Sequence, residues 1–215
     1  MSEKIAVVYI GPKPVKKDTL TGSRTLFPRL ELTDFLPYVR RHISGPLSIM
    51  MTDALSMSAV AFCRQSLLCR REATLSPSAG EDCVLPYDAE NEECVHIIRL
   101  LADGRELFAG HDVEIRPGRV MHFACSSGEV SVLYAIAPKA GSRQVPDELR
   151  AWPEEVAAGA LERLFMQTGV SWSDPSRAQY FSVQFSEGIR RAYRDTLATS
   201  PYSSYRNPVR RQRFF

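Results

Sequence analysis

No CxxC pair occurs among the five cysteines (Cys63, Cys69, Cys83, Cys94, Cys125) of this 215-residue chain, and their number is odd. That argues against a disulfide framework and for reduced, mostly buried thiols. Apolar runs long enough to span a bilayer are missing, and Met1-Ser2-Glu3-Lys4 does not lead into a secretory leader. The expectation is a protein made in the cytoplasm, with no membrane partner. Catalytic signatures are missing too. The chain has no GxxxxGK[ST] phosphate loop, no GxSxG elbow, no HExxH and no GxGxxG after a strand. Four histidines (His42, His96, His111, His122) are scattered, and His96 stands two residues from Cys94. On a strand that pair shares one face, but without a second pair it is a weak metal signal. The acids Asp82, Glu90, Glu92 and Glu93 read as a solvated loop. The sequence therefore predicts a protein that is not an enzyme and holds neither metal nor cofactor.

What is present is ordinary in amount and uneven in placement. Hydrophobic residues make up 44% and charged residues 24%, values usual for a folded chain of one large or two small domains. The net charge is +2. From Arg190 to Phe215, seven arginines face the single Asp195, a local +6 that leaves about −4 for the remainder.

Residues 1–32 read as a strand (IAVVYI, 5–10) followed by an extended arm rich in proline, glycine and lysine. Residues 33–71 read as a first helical pair. Thr33 caps DFLPYVRRHI, with Pro37 in its first turn, and Gly45 breaks the chain. Pro46 then opens a long helix reaching Arg70, whose buried face is Leu47, Met50, Met51, Ala54, Leu55, Ala61, Phe62 and Leu68. Residues 72–140 carry short strand-like runs (DCVLPY, CVHIIRLLA, RELFA, RVMHFAC, EVSVLYAIAP) divided by turn signals, the pattern of a small antiparallel sandwich or barrel. Alternation puts Val130, Val132, Tyr134 and Ile136 on one face. Residues 141–200 read as a second helical pair. Pro153 opens the first of these, with Val156, Ala160, Leu161, Leu164 and Phe165 as its apolar stripe. Ser173-Asp174-Pro175 starts the next, which buries Ala178, Phe181, Phe185, Ile189 and Tyr193 and exposes Arg190, Arg191 and Arg194. The predicted fold class is α+β: a bundle of about four helices with an inserted small antiparallel β module and extended N- and C-terminal arms.

The last segment, 201–215, holds Tyr202, Tyr205, Arg206, Arg210, Arg211, Arg213, Phe214 and Phe215 and no acidic residue. Pro201 and Pro208 keep it from continuing the preceding helix. Fully extended, it reaches roughly 50 Å. Guanidinium forks among aromatic rings are the mixture found at interface anchors, so the segment reads as an arm reserved for a partner. The alternative is a small nucleic-acid-binding module, with the arginines on phosphates and the aromatic rings on bases.

Two longer stretches carry a resemblance. Residues 34–70 (DFLPYVRRHISGPLSIMMTDALSMSAVAFCRQSLLCR) resemble the opening helices of tailed-bacteriophage head-to-tail adaptor proteins. Residues 144–195, with AAGALERLF, a WSDP helix start and an F-x-x-G-I-x-x-A phrase, are similar to that family's second helical pair. The basic, aromatic ending matches in kind. The N-terminal extension is a departure and looks like short proteins encoded among phage head genes. The resemblance implies a structural protein of the virion neck, in a ring of about twelve copies beneath the portal vertex. Its partners would be the portal protein, neighbouring copies of itself, a downstream tail or nozzle protein, and the viral DNA passing through the channel. The 201–215 arm would dock on the portal.

Overall fold

The computed structural model describes residues 28–78, 80, 82–123 and 128–199. The strand expected at 5–10, most of the N-terminal arm, Cys125 and the C-terminal arm lie outside them.

The described chain opens as strand β1 (Arg29–Glu31), a 3-10 turn over Leu32–Phe35 and helix α1 (Leu36–Arg40). Pro37 occupies the first turn of α1, where a missing N–H leaves no bond unmade. Gly45 turns the backbone at φ +116°, and a side chain there would press on the Trp172 ring. Helix α2 (Ser48–Ser66) begins two residues later than Pro46, with Leu47 as an extended cap that is 67% exposed rather than buried. It also ends before Arg70. Leu67 takes a left-handed φ of 52°, and its N–H donates to the Cys63 carbonyl at 3.0 Å. No glycine marks that turn, so the apolar period runs through it unbroken in the sequence.

Eight further strands follow: β2 (Arg70–Leu75), β3 (Asp82–Cys83), β4 (Glu92–Ala102), β5 (Arg105–Glu106), β6 (Val113–Arg116), β7 (Val120–Phe123), β8 (Val130–Pro138) and β9 (Gln144–Pro146). They form three sheets, with strand orders β2-β8-β4-β5, β3-β7-β6 and β1-β9, and each pairing is antiparallel. A 3-10 turn over Asp147–Ala151 leads to helix α3 (Pro153–Phe165), and helix α4 (Pro175–Thr199) closes the described chain.

The class expected from the sequence, a helical bundle bearing a small β module, is therefore wrong. Among the described residues, nine strands in three sheets stand beside four α-helices, a mixed α/β fold. Two physical reasons account for the error. Strands β1, β2 and β9 lack the alternation that marks a half-buried strand: β1 and β9 are three residues long, and β2 opens on two arginines and a glutamate. The sheet is also part of the main core rather than an attachment to it. Val130, Val132, Tyr134 and Ile136 of β8 are buried as expected, but Ala135 and Ala137 on the other face are buried as well. Helix α2 packs on β8 as well as on α3 and α4. Its buried positions, including Ser56, Ser58, Ala59 and Val60, cover most of its circumference. Where the sheet meets this helix, the Sγ atoms of the buried free cysteines Cys63 and Cys69 lie 3.5 Å apart across the α2–β2 joint. The hydrogen bond with Cys63, together with burial, pushes the Cys69 thiol well above its ordinary pKa.

A buried ionic network ties β1 to the sheet. Arg29 donates to Asp88 at 2.6 Å and to Glu92 at 3.1 Å, with its own side chain and that of Glu92 almost wholly buried. Arg71 of β2 binds both carboxylate oxygens of Glu148. Burial raises the Glu92 carboxyl above the usual range, and Arg29 and Arg71 pull it back only in part. Residues 29–31 are thus stapled to the body, although the sequence assigns them to an arm.

Candidate docking surface

Helix α4 supplies the clearest candidate surface, and local sequence fixes its start. The Asp174 carboxylate accepts the N–H groups of Ser176 and Arg177, both at 3.0 Å, and Pro175 follows at once. Asp174→Ala is expected to cost about 1 kcal/mol, read as a lower urea midpoint at unchanged slope. One stripe of α4 then faces the interior, with Ala178, Phe181, Phe185, Gly188, Ile189, Ala192 and Thr196 buried. Gly159 of α3 and Gly188 of α4 let the helix backbones approach closely. A Cβ on Gly159 would lie 2.4 Å from Ser58 Oγ and 2.7 Å from the Phe185 ring. Two arginines add cross-links. Arg177 stacks 4.5 Å over Phe165 and donates to the His42 carbonyl at 2.7 Å, and Arg191 pairs with Glu155. The helix is held in a fixed rotation.

That rotation turns a second stripe outward. Tyr180, Val183, Glu187, Arg190, Arg194 and Leu197 recur at alternating spacings of three and four, so they form one row. The row runs about 26 Å at 1.5 Å per residue. Tyr180 and Val183 are each 60% exposed, and Leu197 is 45% exposed. At the centre Glu187 accepts from Arg190 at 3.3 Å and from Arg194 at 3.1 Å. Tyr193, expected in the core, stands beside the row at 41% exposure. It lies one turn beyond Ile189, the edge of the buried stripe, and so falls at the rim of the packed face. Arg190, Arg191 and Arg194 are exposed, as their place near the helix C-terminus implies.

Next to the row, a groove of about 420 Å³ opens between α1, α3 and α4. Tyr38, Arg41 and His42 form one wall, Glu154, Glu155 and Ala158 another, and Tyr180, Phe181 and Gln184 the third. Its charges are mixed, with Arg191 already bound to Glu155. Tyr180 belongs to both the groove and the row.

The eight arm residues singled out from the sequence (Tyr202, Tyr205, Arg206, Arg210, Arg211, Arg213, Phe214 and Phe215) lie outside the described residues. The outward row of α4 was not singled out beforehand, although its spacing is legible. Attention to the buried stripe hides a second stripe on the opposite face.

The metal signal fares differently. A bulge in β4 falls between Cys94 and His96, so the expected shared face is lost: Cys94 is buried and His96 exposed. Burial pushes the Cys94 thiol up to about 11. His122 Nδ1 lies 2.9 Å from Asp82, and His111 Nδ1 lies 3.1 Å from Asp112. Among the described residues, no three His, Cys, Asp or Glu side chains are grouped to hold a metal ion. No described helix is long and apolar enough to cross a membrane. Comparison with family models gives no match, and comparison with curated proteins gives none.

Proposed function

We propose that this protein is a structural component of a bacteriophage virion, a head-to-tail adaptor that sits as a ring beneath the portal and lines the DNA exit channel. Two observations support the reading. The first is the resemblance of residues 34–70 and 144–195 to that family. The second, which carries it, is the course of α4: a helix held rigid on one side, bearing arginine and aromatic side chains on the other, and running at Thr199 directly into the basic, aromatic segment 200–215. A ring assembled by repeated contacts needs shape and many modest interactions, and repetition multiplies each of them. The role is mechanical and calls for no catalytic group, metal or cofactor. In this reading the protein belongs to the neck of the virion, and the arm grips the portal.

The nucleic-acid module is the weaker alternative. Between Glu72 and Pro138 twelve acids face four arginines, a net −8, and such a body repels a duplex.

The test is sedimentation of the purified chain with the portal ring from the same genome, beside a chain ending at Ser200. A portal-sized species carrying a ring's worth of full-length protein, and lost on truncation, is the expected result. Docking that survives truncation would remove the arm from the mechanism.

A further inference from the structure

We infer that the outward row of α4 docks on the acidic β region of a second copy of this chain, so that copies join head to tail. The contact deepens the adaptor reading, on which it rests only for the closing of successive copies into a ring.

Charge supplies the first argument. The row carries Arg190 and Arg194, which share the single Glu187, and α4 as a whole has four arginines against two acids, a net +2. The β region from Arg70 to Pro138 holds twelve acids against six arginines, a net −6. Part of that charge is unopposed. Register places Ala102, Val130 and Leu75 side by side at one end of the β4-β8-β2 sheet. Asp103 and Glu129 follow at that end, both exposed, and neither meets a cation among the described residues. Complementary potentials of this kind steer and orient association.

Placement supplies the second argument. Helix α4 packs on α3 and α2, and it is α2 that meets β8. Tyr193 beside the row interacts with Arg70, which begins β2, whereas the acidic end lies at Leu75, where β2 finishes, so the basic row and the acidic sheet end are separate surfaces of one body. Two unlike faces that do not overlap make a heterologous contact, which propagates from copy to copy and closes when the rotation divides the circle. A two-fold contact of row against row would instead set four arginines against two glutamates. Tyr180, Val183 and Leu197 give the row the apolar area that a solvated helix face lacks.

Sedimentation velocity on the full chain tests this without the portal. The chain is expected to self-associate at low ionic strength and to dissociate as salt rises. The doubly substituted Arg190→Glu, Arg194→Glu chain should associate at least about tenfold more weakly, and so should Asp103→Lys, Glu129→Lys. Far-UV circular dichroism and urea midpoints check that both fold. Mixing the two variants should restore association, because the native row of one meets the native sheet end of the other and the two reversed faces are themselves opposite in charge. A wild-type chain that stays monomeric at low salt, or a variant mixture that stays monomeric, would overturn the inference. The portal assay separates the two readings. Head-to-tail pairing without portal binding would sink the adaptor reading alone. Full portal loading by Arg190→Glu, Arg194→Glu would sink this one alone.

Discussion

Exchanging Arg29 for methionine is expected to destabilise the fold by roughly 3–5 kcal/mol, measured as the loss of unfolding free energy in urea. The size follows from what is left behind. Glu92 is buried at 2% exposure, and Arg29 is one of two cations that hold its charge there. Without it the carboxylate must stay charged in a poor environment or take up a proton. The variant should accordingly show a distinct pH dependence. Burial already raises the Glu92 pKa, and removal of Arg29 raises it further. A group with a raised folded-state pKa contributes its stability below the unfolded value and loses it as pH rises through the folded one. The penalty of Arg29→Met should therefore be smallest in mild acid and grow toward neutral pH. Asp88→Asn provides the contrast. Its side chain is 37% exposed, so its bond to Arg29 at 2.6 Å is screened by water. A loss within about 1 kcal/mol is expected there. Equal losses for the two substitutions would show that Glu92 is not the group at risk.

Glycine in the middle of a helix usually costs about 1 kcal/mol relative to alanine, so Gly→Ala normally stabilises. At Gly159 the opposite sign is expected, a loss of about 1–3 kcal/mol. Three helices meet at that point. The added methyl would lie 2.4 Å from Ser58 Oγ and 2.7 Å from the Phe185 ring, and neither can withdraw freely. Ser58 is held by its 2.6 Å hydrogen bond to the Val156 carbonyl, and Phe185 is buried in the α4 stripe. Ser58→Ala alone should cost about 1 kcal/mol through the lost bond. Combined with Gly159→Ala it should cost less than the sum, because the new methyl then has room. Strict additivity in that double-mutant cycle would place the strain elsewhere. Ser186→Ala, on the exposed side of α4, serves as the helix-propensity control and should be neutral or slightly stabilising.

The contrast between those two sites explains what the sequence reveals. Helices α3 and α4 were legible, starts included, because their apolar stripes are clean and prolines and Asp174 mark where they begin, although α3 ends at Phe165, short of the glycine stop at Gly169. Strands β4, β7 and β8 were legible by β-branched content and alternation. Strands β1, β2, β6 and β9 were not, because their identity depends on pairing partners distant in the chain. Arg29 looks like a loop cation until Val145 is seen opposite Leu30 and Glu92 comes within reach. Leu67 ends α2 with a left-handed turn that no glycine announces. Small polar residues hide their place in the same way. Ser56 and Ser58 are buried between layers, Ser56 Oγ accepting the Gly141 N–H at 2.9 Å and Ser58 Oγ donating to the Val156 carbonyl. Of the candidate surface, the arginines were legible as exposed from their position near a helix end. The row they share with Tyr180, Val183 and Leu197 emerges only once the rotation of α4 is fixed by Phe181, Phe185 and the glycine crossing.

The paired thiols at the α2–β2 joint make the fold report on its own opening. Cys63 and Cys69 are both fully buried, and their shared hydrogen bond keeps the Cys69 sulfur protonated. Burial seals both sulfurs from an alkylating reagent, and Cys69 is also held as the unreactive thiol, so neither can be labelled until helix and sheet separate. Mass-resolved alkylation at these two positions would then act as a clock for the parting of the two layers. It would show whether a bound partner slows that parting before any global unfolding occurs.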